Sequence, residues 1–249
     1  MEILEFGNKE NKKIVLIHGF QSPYQIWDDY IKYYEKDYHI IVPILPGHNP
    51  KIKEEFKSFK EIAKEFENYY ISNYGSEVYA IYGMSMGGVF TATLLENNKL
   101  NIKNVIFDGS PLVSTNNFIR KFMIKFYIDI THKSKQREQK TLEQAVNNII
   151  PKDKLNFLLQ VLDNMSDTTI INYINDIGNF KLSKNINIKN TKIYYYHGTK
   201  STEMLAKKSA KYIKKYYPTA SIICFKGNGH CEHSLFNEKE MINELNKVL

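Results

Sequence analysis

The sequence predicts an α/β protein, with a mainly parallel sheet flanked by helices and a helical segment inserted between two of its strands. Three observations predict it. Short segments apolar on both faces recur along the chain, amphipathic helical patterns alternate with them, and across about 111–188 helices follow one another with no strong strand between. Alternation of this kind with short loops gives a parallel sheet covered on both sides.

The strands come in order. EILEF opens the chain, followed by KIVLIH (13–18), HIIVPI (39–44), VYAIY (78–82), NVIFD (104–108), KIYYY (192–196) and SIICF (221–225). The last six are rich in β-branched and aromatic residues, as expected of strands buried on both faces.

The helices fall between them. Ser22 reads as an N-cap with Pro23 at the first helical position, and Trp27, Tyr30, Ile31 and Tyr34 then share one face. Ser58 and Glu61 form a capping box for a helix that carries Ile62, Phe66, Tyr69 and Tyr70 on one side and ends near Gly75. Residues 203–217 align Leu205, Ser209, Tyr212, Ile213 and Tyr216 and stop at Pro218, and a last helix over 238–248 buries Met241, Ile242, Leu245 and Val248. In the long interval, NNFIRKFMIKFYIDI, LEQAVNNII, KLNFLLQVLDNM and TTIINYINDI all read as helices. So long an excursion is more economical as a folded cap than as a structureless loop. With no repeat or flexible linker, residues 1–249 are expected to form one domain that includes the cap at about 111–188.

Composition narrows the function classes. The chain is 43% hydrophobic and 24% charged, which suits a single buried core. Its apolar runs are far shorter than the roughly 18 residues of a membrane span, and the start MEILEFGNKENKK lacks a signal peptide's apolar core, so a cytoplasmic protein is expected. Cys224 and Cys231 are too few for a disulfide framework and belong to no ligand cluster, so neither a metal nor a cofactor is expected. The formal net charge of +7 is spread through a chain rich in Lys, Asn, Ile and Tyr. Without a nucleic-acid module or a clustered basic face, a nucleic-acid partner is not expected.

The chemistry-bearing stretch is Gly83-Met84-Ser85-Met86-Gly87-Gly88, which matches G-x-S-x-G with a strand before it and a helix after it. A sharp strand-to-helix turn lifts the serine Oγ clear of the sheet and strains its backbone, while glycines on either side leave room for the turn. Ser85 is therefore the candidate nucleophile. A dinucleotide or phosphate-binding loop fits less well, because neither of their glycine patterns is present.

With this motif, the chain resembles the α/β-hydrolase superfamily over nearly its whole length. The stretches that carry the likeness are LIHGF, PILPGH, GMSMGG, FDGSPL, YYYHGTKS and GNGHCEH, which occur in the superfamily's order. Within it, the chain is most similar to small bacterial serine hydrolases of carboxylesterase type. The resemblance implies an α/β-hydrolase sheet and an oxyanion hole made by the backbone N–H groups of Phe20 and Met86, with His18 and Gly19 shaping the loop. It also implies a histidine base after the last strand. His230 in GNGH is favoured there over His233, and His48 and His197 are left with local structural roles.

The acid departs from the superfamily's pattern. Where an aspartate usually follows the strand ending in HG, this chain has Ser201, and the nearest carboxylate is Glu203. Asp108, at the end of the preceding sheet strand, is the alternative. Glu203 also suits the first turn of a helix for electrostatic reasons alone.

The expected partner is a small-molecule carboxylic ester or thioester, with no substrate-binding residue singled out. FIRKFMIKFYIDI reads either as a lid with a cationic rim or as an amphipathic helix with a solvated Lys face. Met84 and Met86 would tolerate varied apolar acyl groups, or simply pack. The rival expectation is a small-molecule binding protein that keeps the fold without efficient turnover.

Overall fold

The computed structural model describes residues 1–188 and 190–249. Its seven strands are β1 (Glu2–Phe6), β2 (Lys13–Ile17), β3 (His39–Ile44), β4 (Glu77–Met84), β5 (Asn101–Asp108), β6 (Lys192–Gly198) and β7 (Ser221–Phe225). They form one sheet in the order β1-β3-β2-β4-β5-β6-β7. β1 runs antiparallel to β3 and every other pairing is parallel.

Alternation along each strand divides the core into two layers. On β2, Val15 and Ile17 join one cluster with Phe66 of α2 (Phe59–Tyr74), Phe90 of α3 (Met86–Asn97) and Ile213 of α8 (Met204–Tyr216). Ile14 and Leu16 face the other cluster, with Tyr30 and Tyr34 of α1 (Asp28–Tyr34), Leu235 of α9 (Glu232–Phe236) and Met241 and Leu245 of α10 (Glu238–Leu245). Between β5 and β6 lie α4 (Asn117–Lys135), α5 (Gln139–Asn148), α6 (Leu155–Asn164) and α7 (Asp167–Asn179). α4 packs on α5, α6 and α7, and Val161, Met165, Ile170 and Ile174 form a separate small core that also touches Phe20.

Several local expectations meet the structure with informative differences. Ser58 does cap α2, accepting the Glu61 N–H at 3.2 Å, and Gly75 at φ 73° ends that helix. Ser22 caps nothing. Its own N–H donates to the Gly19 carbonyl in a turn, Pro23 stays extended, and a 3-10 turn over Tyr24–Trp27 delays α1 until Asp28. β7, read as apolar on both faces, is half exposed because it is an edge strand. The last helix ends at Leu245 rather than at 248, and the short α9 ahead of it has too few residues to show a helical period.

The parallel order brings the loops after β2, β4, β6 and β7 to one edge of the sheet, the carboxyl edge where ligands bind in open α/β sheets. The turn after β4 leaves little room there. A Cβ on Gly87 would lie 2.7 Å from the His18 carbonyl oxygen and 2.9 Å from the Ile17 carbonyl carbon. Both neighbours are backbone and cannot rotate away. Gly87→Ala should therefore destabilise the protein by about 1–3 kcal/mol, read from urea unfolding midpoints, and should push α3 away from the end of β2.

Candidate functional site

Ser85 sits between β4 and α3 with φ 51° and ψ −114°. A non-glycine residue so placed costs on the order of 1–3 kcal/mol and persists only where its surroundings hold it. Here the Ser85 N–H donates to the Asp108 carbonyl at 2.6 Å and its own carbonyl accepts the Gly88 N–H at 3.0 Å. The side chain is thus lifted off the sheet edge.

His230 follows β7. Its Nε2 is 2.8 Å from Ser85 Oγ and its Nδ1 is 2.9 Å from Glu203 Oε1. Because a carboxylate can only accept, Nδ1 carries the proton toward Glu203, leaving Nε2 to accept from the serine hydroxyl. The ring is backed by Gly109, at φ 62°, where a Cβ would stand 2.9 Å from Cε1 and 3.1 Å from Nδ1. Glu203 ends a 3-10 turn over Ser201–Glu203 that leads into α8, and it is completely buried. Its Oε2 has no hydrogen-bond partner among the described residues.

The structure thus brings Ser85, His230 and Glu203 into one line and sets Asp108 beside it. Asp108 Oδ2 accepts from Tyr82 Oη at 2.8 Å and from Ser234 Oγ. Burial, reinforced by the nearby Glu203 carboxylate, pushes the Asp108 carboxyl up to about 6 against the opposing hydrogen bonds from Ser234 and Tyr82. His233 stacks on Phe225, with centroids 3.9 Å apart, and His197 Nδ1 contacts the Gly198 carbonyl at 2.8 Å.

The loop after β2 is braced by two buried imidazoles. His18 accepts the Leu45 N–H at Nε2, 3.2 Å away, and bonds the Gly19 carbonyl through Nδ1 at 2.9 Å. His48 Nε2 accepts the Gln21 N–H at 2.9 Å. Burial drives the His18 imidazole down to about 4 and the His48 imidazole well below its ordinary value, the latter helped by His18 itself. Both folded-state values lie below the unfolded imidazole value of about 6.5, so the stability they confer is complete above that pH and is lost as pH falls toward about 4. Urea midpoints should drop through this window, and less steeply in His48→Gln.

Two features were not legible beforehand. Gln21, at φ 57°, fastens the same loop to the inserted helices, its Nε2 donating to Thr131 Oγ1 on α4 at 2.7 Å. In addition, the inserted helices supply walls. Beside Ser85 and His230 lies a cavity of about 140 Å³ lined by Phe20, Met86, Met123, Tyr127, Ile174 and Leu205 among others. The i, i+4 spacing of Met123 and Tyr127 was the available signal, but nothing in the sequence tells which face of α4 turns inward.

Phe20 and Met86 both border this cavity. Met86 opens α3, so its N–H lies ahead of the helix's own hydrogen-bond ladder. Among the described residues, no group of three or more His, Cys, Asp or Glu side chains is placed to hold a metal ion, and no helix is long and apolar enough to cross a membrane.

The family described as alpha/beta hydrolase fold matches residues 12–231, and the chain belongs to it. Solved structures agree in fold. A protein from Desulfitobacterium hafniense assigned to the alpha/beta hydrolase family superposes with a TM-score of 0.77 at 14% identity, covering 99% of each chain. A carboxylesterase from the thaumarchaeon Nitrososphaera gargenis gives 0.74 at 14% identity, covering 99% of this chain and 93% of its own. MenH from S. aureus gives 0.72 at 16% identity, covering 98% and 96%. At such identities the likeness is one of fold. No curated protein sequence matches the chain.

Proposed function

We propose that this α/β hydrolase is a serine hydrolase that cleaves a small carboxylic ester or thioester through an acyl-enzyme on Ser85. The observation that carries the reading is the unbroken hydrogen-bonded line from Ser85 Oγ through both nitrogens of His230 to Glu203, ending beside an apolar cavity. Ser85 Oγ attacks the carbonyl carbon while His230 Nε2 takes its proton, and the carbonyl oxygen becomes an oxyanion facing the Phe20 and Met86 amides. Collapse expels the alcohol or thiol, protonated by His230. Water then repeats the sequence and frees the carboxylic acid.

Glu203 orients the ring and stabilises the imidazolium that forms. Its burial strengthens this role. His230 is its hydrogen-bond partner among the described residues, so charge on the half-exposed imidazole is answered at 2.9 Å by a carboxylate that is itself shielded from water. The cavity's modest volume and apolar walls favour a short, uncharged acyl group, with the helices of 111–188 acting as a cap over it. A fluorophosphonate probe should label the protein at Ser85. A protein that stays unlabelled, with Ser85 unmodified by mass spectrometry, would leave only the small-molecule binding reading.

A further inference from the structure

We propose that the outward face of α4 docks the protein onto an anionic lipid surface. The 19-residue helix has two distinct sides. Met123 and Tyr127 turn inward to line the cavity, and Thr131 and Ser134 are buried. On the opposite side Phe118, Phe122 and Phe126 follow one another at four-residue spacing, 82%, 66% and 48% exposed. Phe118 and Phe122 are the two most exposed large hydrophobic side chains among the described residues. Phe122 and Phe126 lie nearly parallel, at 13°, so they present a ridge rather than scattered rings.

The charges beside the ridge indicate what covers it. Lys121 and Lys125 flank the phenylalanines and are exposed. Farther along α4, Lys133 pairs with Asp129 and His132 with Asp167, whereas Lys121 and Lys125 have no carboxylate partner among the described residues. A helix that offers aromatic rings and unneutralised lysines on one side suits the boundary between acyl chains and anionic headgroups, where rings enter the apolar layer and ammonium groups meet phosphates. A second copy of the chain suits it poorly. Two-fold pairing through this ridge would bring both copies' Lys121 and Lys125 together on a protein of net charge +7.

The test is sedimentation of the full chain with vesicles of phosphatidylcholine alone or of equimolar phosphatidylcholine and phosphatidylglycerol, at low and high salt. Wild type should bind the anionic vesicles at least about tenfold more tightly than the neutral ones, and lose that preference as salt screens the lysines. Phe118→Ser/Phe122→Ser/Phe126→Ser and Lys121→Glu/Lys125→Glu should each lose at least about tenfold in binding. Thermal unfolding midpoints near wild type would show that both variants fold. No binding to anionic vesicles, equal binding to both kinds, or binding unchanged in folded variants overturns the proposal. So does a concentration-dependent dimer that Phe122→Ser abolishes, which would give the ridge to a second copy. None of these readouts depends on hydrolysis, so the outcome is separate from that of the proposed activity.

Discussion

Ser85→Ala should lower the hydrolysis of p-nitrophenyl butyrate by about 10⁴- to 10⁶-fold, the loss expected when a nucleophile that works as a unit with its base is removed. The expectation rests on position. Oγ is 2.8 Å from the imidazole nitrogen that would take its proton, and the strained backbone at φ 51° holds it there. Alanine at the same backbone angles keeps the turn and the cavity wall, so unfolding midpoints should change little. The measurement is the ratio of kcat/KM values, with fluorophosphonate labelling in parallel. A variant that retained near-wild-type turnover would remove Ser85 from the mechanism, whatever the fold.

The second large effect separates the two carboxylates. Glu203→Gln should cost about 10⁴ in kcat, because an amide at this position favours the wrong imidazole tautomer and cannot stabilise the imidazolium. Asp108→Asn should stay within about threefold of wild type, the residue's Oδ2 being engaged by Tyr82 and Ser234 rather than by His230.

Stability should respond the other way round. The Asp108 carboxyl is raised to about 6 in the folded chain, against about 3.9 unfolded. Between these values the folded state holds the proton more tightly, so Asp108 draws stability down as pH rises from about 4 to about 6. Asp108→Asn should therefore gain on wild type across that window, with the difference level above it. Equal rates for both variants, or a stability difference independent of pH, would contradict the assignment.

What could be read from the sequence was local, and what could not was long-range. The serine turn announces itself because strand, glycines and helix lie within a few residues of each other, and the same holds for the Ser58 cap. The choice between Glu203 and Asp108 was open because Asp108 ends β5 and Glu203 comes shortly after β6, and the two strands are neighbours in the sheet. The 3-10 turn over Ser201–Glu203 carries Glu203 to the imidazole, while Tyr82 and Ser234 hold the Asp108 carboxylate. Gln21 was invisible for a stronger reason, since its partners His48 and Thr131 lie 27 and 110 residues away. The Ser22 cap failed because Ser22 lies in a turn closed on Gly19 and Pro23 stays extended. With Gln21 tied to His48, the chain leaves the loop through a turn and enters α1 only at Asp28.

The Gln21 tether also bears on how such proteins diversify. Exchanging the insert between β5 and β6 for a relative's would sever the Thr131 bond and leave a buried amide beneath the graft, next to the backbone that would face the reacting oxygen. Chimeras of this protein should thus inherit a defect in rate as well as a new selectivity, unless position 21 is refitted together with the transplanted helices.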